Sequence, residues 1–388
     1  MSLPLPDPFG PDPAAGGQPG GAPQSWQQQP AGSAGLPPGG LPGGPQQQWA
    51  AGTPPPSNGG GIPKWLLGGL AAVLAIALAV VITVLVVKPD SAPSGPSNAE
   101  LNGSDFEFAS ANDIGPITVI TEDPSCAPWN PIQNTLHGSE DNGWLQRDPT
   151  IPSTVWSAEQ RAQHDAVAQA MRSAADQTEP LVKLTPHRVM RQLYEQFIAY
   201  SRAYADKVPT YTPPDNQLAR TGSTAAGLLG DICAAIAQSS AAARAPLILP
   251  GPAPNHQAEI GNPENRQLLL TNPDPICPDW ETAANRFNVE SAEWRKIPSN
   301  IPAASWSPEQ KATTDGVIPV LVQIADTAQQ LGQRTSNPTL QDIAALAEQY
   351  LRAFAQALPT YAPSDTHLYD AGRRAIAVVR TACAAAEK

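Results

Sequence analysis

The pattern of apolar and polar positions changes character twice along this chain. Residues 1–63 show no apolar periodicity, and residues 65–87 (WLLGGLAAVLAIALAVVITVLVV) form an uncharged run of 23. As a helix rising about 1.5 Å per residue, that run reaches roughly 35 Å, enough to cross a bilayer core of about 30 Å. Past residue 150 apolar side chains recur at steps of three and four, which predicts amphipathic helices. Val167, Met171 and Ala174 share one helical face, as do Met190, Leu193, Phe197, Tyr200 and Tyr204. Ser157 and Gln160 are spaced to start the first of these helices, Pro209 to end the second near residue 207, and Asp215 to cap a third that closes on Cys233.

The whole pattern then repeats. Shifting the chain by 150 residues places Trp144 on Trp294, Trp156 on Trp306, Tyr200 on Tyr350, Arg202 on Arg352, Tyr211 on Tyr361, Asp215 on Asp365 and Cys233 on Cys383. With one residue of slack, Cys126 and Trp129 meet Cys277 and Trp280. Of nine tryptophans, six form three matched pairs, which chance alignment does not supply. The period far exceeds the roughly 20 to 50 residues of a solenoid unit, so each copy is expected to be a domain-sized bundle. The expected fold class is all-α: two tandem bundles of about three helices, each preceded by an irregular, tryptophan-bearing strap. The corresponding organisation is a tail over 1–63, a transmembrane helix over 64–88, a linker over 89–122, helical repeats over 123–237 and 276–388, and a connector over 238–275.

Composition assigns sides to these parts. The tail is about half proline and glycine and lacks lysine and arginine, so it cannot bury enough apolar surface to offset ordering and reads as disordered. Lys64 and Lys88 give the positive-inside rule almost nothing to count, but all four cysteines lie C-terminal to the span. An even, regularly placed set suits an oxidising compartment, which puts the tail in the cytoplasm and residues 89–388 outside. The apolar run exceeds the 7 to 15 or so residues of a signal-peptide core, so it reads as an uncleaved signal anchor. The simplest of three cysteine connectivities joins Cys126 to Cys233 and Cys277 to Cys383. A formal charge of −12 argues against nucleic acid. Small residues such as Gly68, Ala72, Ala75 and Ala79 would let two membrane helices approach closely, an expectation of homo-oligomers.

Motifs for catalysis are missing. There is no HExxH, no phosphate-cradling glycine loop, no G-x-S-x-G and no CxxC, and the five histidines do not match across the copies. We expect no enzyme, no cofactor and no catalytic or metal-binding residue. The residues that could instead touch a ligand or partner are Trp129, Trp144, Trp156, Trp280, Trp294 and Trp306, with Tyr200 and Tyr350. They either clamp the straps or line an apolar groove. Arg202 and Arg352 either complement a helix C-terminus, bridging to Asp215 or Asp365, or hold an anion. Tyr211 and Tyr361 read as strap-packing residues with backbone-bonded hydroxyls, and the segment HGSEDNG around Glu140, unmatched in the second copy, as a loop.

The proline-, glycine- and glutamine-rich tail, the alanine- and valine-rich span, the SAPSGPS linker at 91–97 and the alanine-rich ectodomain resemble the layout of single-pass envelope proteins of mycobacteria and related actinobacteria. That resemblance implies a plasma membrane facing a lipid-rich wall. The expected function is a non-catalytic, membrane-anchored protein whose paired modules bind or scaffold an envelope protein. The alternative is an ectodomain that binds a lipid or small ligand in an apolar groove.

Overall fold

The computed structural model describes residues 108–254, 256–263 and 265–387. The tail at 1–63, the candidate span at 64–88 and the linker up to residue 107 lie outside the described residues. Among those described, no single helix is long and apolar enough to cross a membrane. The architecture is all-α. The first copy contributes α1 (Cys126–Glu140), α2 (Ala158–Leu184), α3 (Arg188–Lys207) and α4 (Asn216–Ala237). A short α5 (Ser240–Arg244) precedes α6 (Cys277–Glu290), α7 (Pro308–Arg334), α8 (Pro338–Ala357) and α9 (Thr366–Ala386) of the second.

Local chemistry sets these boundaries. The amide of Gln160 donates to Ser157 Oγ at 3.1 Å and the amide of Ser157 donates to Gln160 Oε1 at 2.9 Å, satisfying two donors that α2 would otherwise orphan. Ser307 and Gln310 repeat this bond for bond ahead of α7. The expected caps at Asp215 and Asp365 act one step earlier. Their carboxylates accept from the amides of Thr212 (2.8 Å) and Ala362 (2.9 Å), closing the 3-10 turns Pro213–Asp215 and Pro363–Asp365 that feed α4 and α9.

The straps open with a helix, contrary to the expectation of irregular chain. In α1 Trp129, Ile132 and Leu136 are buried at steps of three and four, and in α6 Trp280, Ala283, Ala284 and Phe287. Proline in the first turn is compatible with a helix because the missing amide there has no intrahelical partner anyway. The segment HGSEDNG is correspondingly not all loop: His137 to Glu140 complete α1, and Glu140 is buried. Disulfides Cys126–Cys233 and Cys277–Cys383 tie α1 to α4 and α6 to α9.

The two copies are fused by a continuous core. Helices α4 and α9 pack along each other, and α3 lies against α8. The chain ahead of each copy crosses to the other. Residues 108–122, expected as linker, bury Phe108, Ile117, Val119 and Ile120, and the Ile120 amide donates to the Tyr350 hydroxyl at 3.3 Å. Its counterpart, the buried Tyr200 hydroxyl, faces the backbone of Leu269 and Leu270. Between the copies the fully buried Arg188 guanidinium donates to both carboxylate oxygens of Asp342 (3.0 and 2.9 Å) and to the Gly115 carbonyl (2.6 Å). As a result α3 is buried on every side from Arg188 to Ser201, polar residues included.

Candidate functional site

In each copy the strap passes through a 3-10 turn, Trp144–Gln146 or Trp294–Lys296, and lays its tryptophan against the second long helix. In the first copy this place is closed. Trp144 packs edge-on against Tyr204 and its Nε1 donates to the Tyr204 hydroxyl at 3.3 Å. The Arg147 guanidinium stacks over the indole, 3.3 Å from the ring centroid, and donates to the Trp144 carbonyl (2.9 Å) and to Asn216 Oδ1 (2.5 Å). Beside it Trp156 stacks on His164, with centroids 3.8 Å apart, and on Tyr211. Glu140 lies nearby, its carboxyl pushed up to about 7 by burial while a bond from Ser223 and the charge of Arg147 pull the other way.

The second copy keeps Trp294, Trp306 and Tyr361, loses the Arg147 plug and gains Tyr369, which stands opposite Ala219 and packs edge-on against Trp294 with centroids 4.9 Å apart. In the 150-residue register Ile297 stands where Arg147 stood, Thr366 replaces Asn216 and Phe354 replaces Tyr204. A cavity of about 420 Å³ remains, walled by Trp294, Trp306, Phe354, Tyr361 and Tyr369. Trp294 and Trp306 are only partly buried, whereas Trp144 and Trp156 are buried.

The charged side of this cavity comes chiefly from α9. Arg373 Nε donates to Asp370 at 2.8 Å, and Arg374 Nε donates to Asp231 of α4 at 2.6 Å. Gly227 of α4 makes that second pair sterically feasible, since a Cβ there would lie 2.6 Å from Arg374 Nη1. Burial raises the Asp231 carboxyl well above the usual carboxylate range, against the pull of Arg374. Asp231, His367 and Asp370 bring one donor atom each within 4.8 Å of one another. The guanidinium groups bonded to both carboxylates already hold the place a cation would take, so the cluster is a poor metal site.

The sequence-predicted candidates therefore divide. Trp294 and Trp306 border the cavity. Trp129 and Trp280 line no groove: they are fully buried, Trp129 between Tyr194 and Phe197, and Trp280 with its Nε1 donating to the Ile376 carbonyl at 2.9 Å. Tyr200 and Tyr350 sit in the seam between copies rather than in a groove. Arg202 does not reach Asp215 but joins α3 to α2 through Asp176 (2.7 Å) and Glu179 (2.9 Å). Arg352 likewise bonds Asp326 and Glu348 instead of Asp365, which is taken by Arg244 at 2.8 Å. Tyr211 and Tyr361 donate to the strap carbonyls of Pro149 (2.7 Å) and Ser299 (2.6 Å). One matched pair escaped the sequence reading. Asp123 and Asp274 each accept at 2.5 Å from the threonine that ends the first long helix, Thr185 or Thr335. The Asp-Pro preceding each first cysteine, in the same 151-residue offset as the cysteines, was the available signal.

These features define a class: a duplicated, disulfide-pinned helical protein in which one copy has closed an aromatic site and the other holds it open. The chain belongs to the family described as Mycobacterial ESX-1 associated protein, whose model matches residues 108–387, the whole helical body. An uncharacterised protein of Mycolicibacterium smegmatis (strain MKD8) is 44% identical over 336 residues, covering 86% of this chain and 89% of its own length. No solved structure matches the chain.

Proposed function

We propose that this is a non-catalytic envelope protein of an ESX-1 secretion apparatus, held in the plasma membrane by residues 64–88, with the helical body outside the cytoplasm as the module that binds or scaffolds a component of that apparatus. The observation that carries the reading is the family match across the entire helical body. Two disulfides within that body support the extracytoplasmic side, because such bonds persist in oxidising compartments. The positions shared by both copies, caps, cysteines, turn tyrosines and helix-bridging arginines, are used for folding, which supports a binding rather than a catalytic role. The test is crosslinking and affinity purification of the tagged full-length chain from mycobacterial membranes, compared with a strain lacking the ESX-1 locus. Enrichment of ESX-1 membrane components is the expected result. Recovery of the same set from both strains would defeat the proposal.

A second reading, binding of a lipid or other small ligand, is favoured by the cavity walled by Trp294 and Trp306. Its volume lies within the range of about 300 to 1,000 Å³ typical of ligand pockets.

A further inference from the structure

In the first copy both strap indoles are covered by flat polar groups of the protein itself. The Arg147 guanidinium lies 3.3 Å from the ring centroid of Trp144, and the His164 imidazole stacks on Trp156 with centroids 3.8 Å apart. In the 150-residue register neither group has a flat counterpart, since Ile297 stands for Arg147 and Thr314 for His164. Tyr369 does not make good the loss. It meets Trp294 edge-on, at 82°, and so walls the cavity without covering the indole face. The second copy thus borders a cavity of about 420 Å³ with two partly buried indoles, each short of one planar neighbour. An apolar cavity of about 150 Å³ admits benzene, so the space suffices for a fused pair of rings.

The charge of the guest follows from how the wall is neutralised. Every arginine of the lining is already bonded: Arg373 Nε donates to Asp370 (2.8 Å), Arg374 Nε to Asp231 (2.6 Å) and Arg295 Nη2 to the Asn288 carbonyl (3.0 Å). An anion would have to displace one of those acceptors. Aromatic faces by themselves attract cations, but a cation here would meet three guanidinium groups, and the one carboxylate of the lining, Asp370, is taken by Arg373. A guest of either sign would leave water without gaining a counter-charge, which is costly. An uncharged guest escapes that cost and covers Trp294, Trp306 and Phe354, the last lacking the hydroxyl of the Tyr204 it replaces. We infer that the second copy binds an uncharged, flat ring system, stacked on the strap indoles in the places that Arg147 and His164 occupy in the first. This rests on the ligand-binding reading above and adds to it the ligand's charge and shape and the copy that binds it; the secretion-partner reading does not depend on it.

The test uses the full-length chain in nanodiscs of zwitterionic lipid, with empty nanodiscs subtracted, titrated by calorimetry with 2-naphthol, 2-naphthoate, 2-naphthylmethylammonium and decahydro-2-naphthol. The flat neutral probe, 2-naphthol, is expected to bind at least about tenfold more tightly than either ion, because each ion gives up its hydration unpaired. It should also bind severalfold more tightly than decahydro-2-naphthol, which has its size and hydroxyl but is not flat. Ile297→Trp, which fills the cavity with a ring of the protein's own, and Ile297→Arg, which installs the first copy's residue, should each weaken 2-naphthol at least about tenfold with the melting temperature retained. The comparison of probes on the unaltered chain needs neither variant to fold. Equal or tighter binding of an ion would overturn the charge assignment, and equal binding of decahydro-2-naphthol the flat shape, while the groove reading survives both. Undiminished binding to a folded Ile297 variant would overturn the site. Absence of binding by every probe to the unaltered chain would overturn the site and the ligand-binding reading together.

Discussion

Glu140 ends α1 with its carboxyl out of water, bonded to Ser223 Oγ at 2.7 Å, and burial raises its ionisation from 4.5 to about 7. The unfolded carboxyl releases its proton near 4.5 and the folded one near 7, so between those values the folded state binds more protons and stability falls as pH rises. The loss is complete above about 7 and amounts to about 3 kcal/mol at 1.36 kcal/mol per unit. Glu140→Gln keeps the acceptor for Ser223 and removes the titration. Chemical denaturation at about pH 5 and about pH 8 should show the variant's decline between the two shrinking by roughly 2 kcal/mol relative to the unaltered chain. The shifted Asp231 is common to both proteins and cancels in that difference. Equal declines would show that Glu140 is solvated. None of this was legible in HGSEDNG, which reads as polar loop, because the partner that buries Glu140 lies 83 residues away on α4. Arg147 was legible only as a mismatch in the repeat register, opposite Ile297.

At the scale of elements, the sequence spoke wherever a local rule decides. The capping boxes at Ser157 and Ser307 and the terminating prolines at 209 and 359 stand in the chain as they stand in the fold. Helices α1 and α6 did not show themselves: two prolines and a glycine interrupt the short apolar pattern of α1, that of α6 is short and opens on Pro278, and only the disulfides and the neighbouring α2 and α7 make either worth burying. The all-round burial of α3 was also invisible, since periodicity assumes one face in water and here the second copy covers the other. Two glycines separate propensity from packing. Gly372 of α9 lets that helix approach α8 so closely that a Cβ would lie 2.7 Å from Leu351 Cγ and 3.1 Å from the Leu351 amide nitrogen. Gly316 lies exposed inside α7 with nothing within 4 Å. Gly372→Ala should therefore destabilise by about 1 to 3 kcal/mol through overpacking, and Gly316→Ala should stabilise by about 0.5 to 1 kcal/mol through helix propensity. Urea titrations of the two variants with effects of the same sign would break this account.

For the whole molecule, duplication suggests two bundles on a connector, yet the contacts argue for one folding unit. The chain ahead of each copy reaches the other copy's tyrosine, Arg188 of the first buries its charge on Asp342 of the second, and α4 shares its length with α9. Separating the copies would expose α3 on its inner side and take from Asp342 its buried guanidinium partner, leaving Arg188 only Asp113 as a carboxylate partner; removing one partner of a buried pair costs about 3 to 5 kcal/mol. A copy standing by itself would lose more than a domain normally spares from a total of about 5 to 15 kcal/mol. With both disulfides intact, calorimetry of the full-length chain should then show a single transition for the helical body. Its van't Hoff enthalpy should approach the value for all of residues 108–387, roughly 200 kcal/mol at about 0.7 kcal/mol per residue. Two transitions, or a van't Hoff enthalpy near half that figure, would mean that each copy melts on its own. In a one-unit body, a ligand seated against α9 would raise the stability of α4 and the first copy with it.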